Sequence, residues 1–118
     1  MRYTLINMER RRHRRFDLTQ LVELGFGRER FIHAEGVDIS RSGIRCNTTE
    51  ELELSSTLVV YLAMELDGDA TEPLSAEAVV RRCDPLEEAG YDVGMEFSLL
   101  DSYAEKRLNG FLENIAPA

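Results

Sequence analysis

The chain has 118 residues, 43% of them hydrophobic and 31% charged, and a net charge of −8. That is material for one domain with a core of its own, so neither a disulfide framework nor a structural metal is required. No apolar stretch is long enough to span a bilayer as a helix, and Met1–Asn7 lacks the apolar core of a secretory signal, so a cytoplasmic protein is expected.

A basic cluster comes first along the chain. Arg10, Arg11, Arg12, Arg14 and Arg15 are five of the 14 basic residues; the other 9 stand against all 22 acidic ones, a net charge of −13. A protein that grips nucleic acid without regard to sequence spreads positive charge over a broad face, because its affinity comes from many phosphate contacts. Charge concentrated at one spot on an acidic body suits a small anion with few phosphates, not a long polyanion. Lys106 is the only lysine, and arginine, unlike lysine, offers a planar fork that stacks on rings and grips anions through two bonds.

From Phe16 to about Leu100 the pattern is one of short strands between turn signals. Phe16–Phe26 reads as one strand, with Leu18, Val22 and Leu24 set against Thr19 and Glu23. Phe31–Ile39 is a second, and Gly43–Thr48 a third with Ile44 and Cys46 on one face. Thr57–Leu66 is the most apolar run and predicts a strand buried on both faces. Asp67-Gly68-Asp69 turns the chain, and Leu74–Cys83 then alternates Ala76, Ala78 and Val80 against Ser75, Glu77 and Val79. A turn bracketed by Asp84-Pro85 and Ala89-Gly90 leads to a last strand, Tyr91–Leu99, with Val93, Met95 and Phe97 in alternation.

The period then changes. Ala104, Leu108, Phe111, Leu112 and Ile115 share one helical face, Ser102 and Glu105 have the spacing of a capping box, and Pro117 marks the end of the helical potential. The expected fold is all-β with a C-terminal helix, a small six-stranded antiparallel β-barrel. Residues 1–15 are expected to form a flexible arginine-rich segment, 16–100 the barrel, and 101–118 a helix packed on it.

Catalysis is not expected. His13 and His33, the two histidines, stand in no catalytic or ligand spacing, and Cys46 and Cys83 lie too far apart for a zinc motif. No Gly-rich phosphate loop is present, and no cofactor or metal is called for.

Two segments carry the functional signal: Glu9-Arg10-Arg11-Arg12-His13-Arg14-Arg15-Phe16, and Asp38-Ile39-Ser40-Arg41-Ser42-Gly43 between two strands. In this order and separation they resemble the PilZ family of bacterial cyclic di-GMP receptors, whose members carry Arg-x-x-x-Arg near the N-terminus and Asp/Asn-x-Ser-x-x-Gly at a turn between early barrel strands. Arg11 and Arg15 match the first motif, although Arg10 and Arg14 also have its spacing. Asp38, Ser40 and Gly43 match the second, and Tyr91–Phe97 looks like the family's late strand.

The resemblance implies a receptor in second-messenger signalling that binds cyclic di-GMP through Arg10, Arg11, Arg15, Asp38, Ser40 and Gly43. It further implies that Arg10, just before the motif, favours an intercalated pair of ligand molecules, and that an effector protein receives the signal. The chemistry suits that ligand: guanine O6 and N7 accept from a guanidinium fork, and its N1–H and N2–H₂ donate to a carboxylate. The other readings are a PilZ-like protein-interaction module that binds no nucleotide, and a nucleic-acid binder using the arginine run. The acidic remainder of the chain speaks against the latter, and neither nucleic acid nor membrane insertion is expected.

Overall fold

The computed structural model describes residues 14–27, 30–63, 65–66, 69–70 and 73–114. The strands are β1 (Phe16–Asp17), β2 (Leu21–Phe26), β3 (Arg30–Ile39), β4 (Gly43–Thr48), β5 (Thr57–Leu62), β6 (Glu65–Leu66), β7 (Asp69–Ala70), β8 (Leu74–Pro85) and β9 (Tyr91–Leu99), followed by helix α1 (Ser102–Glu113). All pairings are antiparallel, in the order β1-β3-β2-β5-β8-β9-β4, and β4 returns to pair with β3. Six strands therefore close into a barrel, which leaves no long unpaired edge. β6 and β7 form a separate small hairpin around the expected Asp67-Gly68 turn, whose two residues lie outside the described ones.

The period-2 pattern places Val22, Leu24, Ile39, Ile44, Leu58, Val80 and Val93 inside the barrel, each almost fully buried. Removing each from water contributes roughly 1.5–3 kcal/mol. Ala104, Leu108, Phe111 and Leu112 of α1 join the same core, and the helix packs by β8. Ile115 and Pro117 lie outside the described residues. Among the described residues no helix is long and apolar enough to cross a membrane.

Three local expectations change. The segment expected as one strand over Phe16–Phe26 is broken into β1 and β2, because β3 bends where Gly36 passes Leu18. A Cβ on Gly36 would stand 2.6 Å from Leu18 Cδ2, and the intervening residues bond β3 singly, Leu18 N–H to Val37 C=O at 3.0 Å and Gly36 N–H to Gln20 C=O at 2.9 Å. The apolar run expected over Thr57–Leu66 ends as a strand at Leu62 and is fully buried on one face only. Its outward Tyr61 lies across Gly25 from Phe31, with ring centroids 6.0 Å apart, so the outer apolar side chains are partly covered by one another. The helix cap is Asp101, not Ser102: the Asp101 carboxylate accepts from Ala104 N–H at 2.8 Å, which places Ser102 within the first turn.

Two of the sheet's three register shifts bear on the site. The β3–β4 register shifts between Gly36 and Asp38, and the β8–β9 register shifts between Val80 and Arg82. Each inserts one residue and resets the in-out alternation. Counting by twos from Gly36 or from Val80, both Asp38 and Arg82 would point into the core. The inserted residues, Val37 and Arg81, turn them outward.

Candidate functional site

The segment after the arginine run is tied to the strand that carries the turn motif. In the β1–β3 pairing Phe16 stands opposite Ile39 and Asp17 opposite Asp38. Arg15, just before β1, thereby reaches Asp38, 23 residues away in sequence: its Nε donates to Asp38 Oδ1 at 2.6 Å, and Nη2 pairs with the same oxygen. Arg14 lies over the Phe16 ring, 5.9 Å from its centroid. Arg10, Arg11 and His13 lie outside the described residues.

The turn between β3 and β4 is held by its own serines. Ser40 N–H donates to Gly43 C=O at 2.9 Å, and the Ser40 hydroxyl accepts from Ser42 N–H at 3.2 Å and contacts Ser42 Oγ at 3.1 Å. Ser42 C=O in turn accepts from Phe97 N–H at 2.9 Å, which fixes the turn to β9. Ser40 is 0% exposed, so its hydroxyl shapes the turn from within, and it is Ser42 that faces the cavity. At Gly43 the constraint is space rather than a left-handed backbone: a Cβ there would stand 2.2 Å from Met95 C=O.

Beside the turn is an open cavity of about 670 Å³, within the ordinary range for small-ligand sites, with Arg15, Asp38, Ser42, Arg45, Arg81 and Arg82 on its walls. A cross-strand row runs along it, Asp38 on β3, Arg45 on β4, Gly94 on β9 and Arg82 on β8, each paired with the next. In the neighbouring row Asp92 joins the two arginines. Arg45 donates Nε and Nη2 to its two carboxylate oxygens at 2.8 and 2.9 Å, and Arg82 Nη1 reaches Asp92 Oδ2 at 3.2 Å and Asp84 Oδ2 at 2.8 Å. Arg45 Nη1 also lies 3.7 Å from Asp38 Oδ2, and Arg81 donates Nε and Nη2 to Glu96 Oε1 at 3.1 and 2.9 Å.

These pairs are mutually stabilising. The hydrogen bond from Arg45, with help from Arg82, holds the Asp92 carboxyl below its ordinary range even though burial acts the other way. The Arg45 and Arg82 guanidiniums are pushed up, chiefly by their hydrogen bonds to Asp92 and to Asp84 respectively. The cavity thus offers guanidinium forks, the Asp38 and Glu96 carboxylates and a hydroxyl on one outer face of the barrel. His33 stands apart, 3.4 Å from Glu23 Oε2 on an exposed stretch of the β2–β3 pair.

Of the expected site residues, the structure brings Arg15, Asp38, Ser40 and Gly43 to one place. Ser42 falls at an unspecified position of the turn motif, and Arg45, Arg81, Arg82 and Glu96 are additional residues with no motif of their own. Their grouping depends on strand register and on the β8 bulge, neither of which is visible along the chain.

The PilZ domain family model matches residues 9–114. No curated protein sequence matches the chain. Among the solved structures that share its fold are two PilZ-domain proteins. The Bacillus subtilis inhibitor of motility, MotI/DgrA, superposes with a TM-score of 0.71 at 21% identity over 88% of this chain and 49% of that one. The PilZ domain of YcgR from Escherichia coli, solved with c-di-GMP, gives 0.69 at 11% identity over 90% and 91%. The chain therefore spans about half the length of the Bacillus protein.

Proposed function

The chain belongs to the PilZ domain family, and from that membership and the cavity chemistry we propose that it is a receptor for cyclic di-GMP. The observation that carries the reading is the contact between Arg15 and Asp38. It unites the two motif segments at the mouth of a cavity rich in guanidinium groups. The YcgR domain, of the same fold, was solved with this ligand.

In this reading Arg10, Arg11 and Arg15 grip phosphates and the O6/N7 edges of guanine, while Asp38 accepts from the N1–H and N2–H₂ edge. Ser40 and Gly43 set the turn that brings Asp38 and Ser42 to the ligand. Charge-assisted bonds contribute roughly 1.5–3 kcal/mol each, so four or five of them, less the ordering costs and the loss of the Arg15–Asp38 pair, reach about micromolar affinity. The phosphates draw the N-terminal arginines onto the cavity, and a partner protein reads the altered surface. Arg10 directs binding of the ligand as an intercalated pair. The domain itself carries no catalytic step.

Isothermal titration with cyclic di-GMP, using GTP and cyclic di-AMP as controls, tests this. Saturable guanine-selective heat is expected, with a stoichiometry of two ligands per chain for the intercalated pair. Arg11→Ala and Arg15→Ala should abolish it while the protein stays folded. Absence of heat at ligand concentrations near 100 μM, some hundredfold above the expected Kd, would favour the protein-interaction module instead. Steeply salt-dependent binding to an oligonucleotide would favour the nucleic-acid reading.

A further inference from the structure

A purine ligand needs surfaces for its ring faces as well as partners for its edges. Stacking on a side-chain plane contributes about 1–3 kcal/mol per base. Yet none of the described side chains on the cavity wall is aromatic: they are arginines, acids, Ser42, Ile44 and Met95, with two glycines. The planar groups available for a base are guanidiniums, which stack well on purine rings.

One of them is laid out for that task. Gly94 stands directly opposite Arg82 in the β8–β9 ladder. Arg82 Cβ, Nε and Nη2 each lie 3.6 Å from the point where a Cβ on Gly94 would be, so the side chain rests along the glycine from stem to guanidinium. Its edge is pinned, Nη1 donating to both Asp84 and Asp92. Although it rests against Gly94, the side chain is still 44% exposed and lines the cavity. Ordering costs that a free arginine would meet on binding are thus largely met beforehand. Arg45, opposite Gly94 on the β4 side, and Arg81 are also pinned by carboxylates, but the three atoms nearest a Cβ on Gly94 all belong to Arg82.

We propose that Arg82, held against Gly94 and tied to Asp84 and Asp92, is the platform on which a purine base of the ligand stacks. The assignment rests on the cyclic di-GMP reading above and adds to it a residue outside both motifs. It separates two roles among the arginines: N-terminal ones supply edges to anionic and acceptor atoms, whereas Arg82 supplies a face.

The test is a titration of cyclic di-GMP into the full-length protein and its Arg82→Ala and Arg82→Lys variants, with thermal midpoints recorded for each. Lysine keeps the charge and can still reach Asp84 and Asp92 but has no plane. Both variants should bind roughly 5- to 150-fold more weakly than the parent, the range equivalent to loss of one stacked base. In the parent, the Arg82 Hδ and Hε resonances should move upfield on saturation, since they would lie under a ring current; a merely structural arginine would not show this. If Arg82→Lys binds as tightly as the parent, or if those resonances stay or move downfield, the stacking assignment is overturned while the receptor reading stands. If the parent itself gives no heat, both fall together.

Discussion

Gly43 and the Met95 carbonyl are in such close contact that a single methyl group at position 43 would overlap the oxygen, at 2.2 Å. The two residues belong to β4 and β9, so the clash is with paired backbone that cannot swing aside. Gly43→Ala should destabilise the domain by about 1–3 kcal/mol or more. Gly94→Ala, one residue before Met95, meets only the Arg82 side chain at 3.6 Å and should change stability by less than about 1 kcal/mol. Urea denaturation of the two variants separates these outcomes. Equal effects would mean that space at Gly43 is not the constraint.

Asp101 carries the N-terminus of α1. Asp101→Ala removes the acceptor for Ala104 N–H and should cost about 1 kcal/mol, whereas Ser102→Ala should be nearly neutral. Thermal unfolding of the two variants is sufficient. A larger loss at Ser102 would restore it as the cap.

The Asp92 carboxyl is held below its ordinary range first by Arg45 and then by Arg82. A lowered folded pKa contributes stability that is full above the unfolded value, about 3.9, and disappears as pH falls through the folded one. Asp92→Asn should therefore be less stable than the parent by about 1 kcal/mol near neutrality. The gap should close as pH drops below about 4. A gap independent of pH would mean that the lost interaction is not ionic.

Burial pushes the Cys46 thiol up to about 12, with the Asp92 charge adding to the effect. Cys83 is only half-buried. A thiol reagent applied to the native protein at mildly alkaline pH should modify Cys83, and Cys46 should react only after unfolding. Mass spectrometry of the labelled peptides decides the order.

Asp38→Asn keeps the size of the side chain and removes the charge that meets Arg15 and Arg45. If Asp38 accepts from the guanine edge as proposed, cyclic di-GMP binding should weaken about tenfold or more, because a charge-assisted bond is lost. Unchanged affinity would place the guanine edge elsewhere.

Much of the architecture was legible along the chain because the barrel has a strict inside. β4 and β9 fall at their expected residues, and the alternation of β8 is as expected, since each presents one apolar face to the core. The helix face was legible for the same reason. Local patterning could not show where a strand changes phase. Val37 and Arg81 look like ordinary strand residues, yet each is the extra residue of a bulge and reverses the facing of the residues after it. Arg45, Arg81 and Arg82 were therefore scattered charges along the sequence, and Ser40 looked available to a ligand although it is sealed inside its turn. The proximity of Arg15 to Asp38 was legible only from the motif pattern, because the two-residue β1 that joins them is too short to leave a signal.

Every described arginine on the cavity wall already has a carboxylate partner: Arg15 has Asp38, Arg45 has Asp92, Arg81 has Glu96, and Arg82 has Asp84 and Asp92. The protein thus carries its own competitor for any anion that arrives. A visitor offering charge alone would exchange one ion pair for another and gain little, so free phosphate and common nucleotides present in excess are poorly placed to fill the site. On the receptor reading proposed above, occupancy goes to a molecule whose additional surfaces exceed what the resident carboxylates provide, and selectivity comes from a cavity that is satisfied before it is filled.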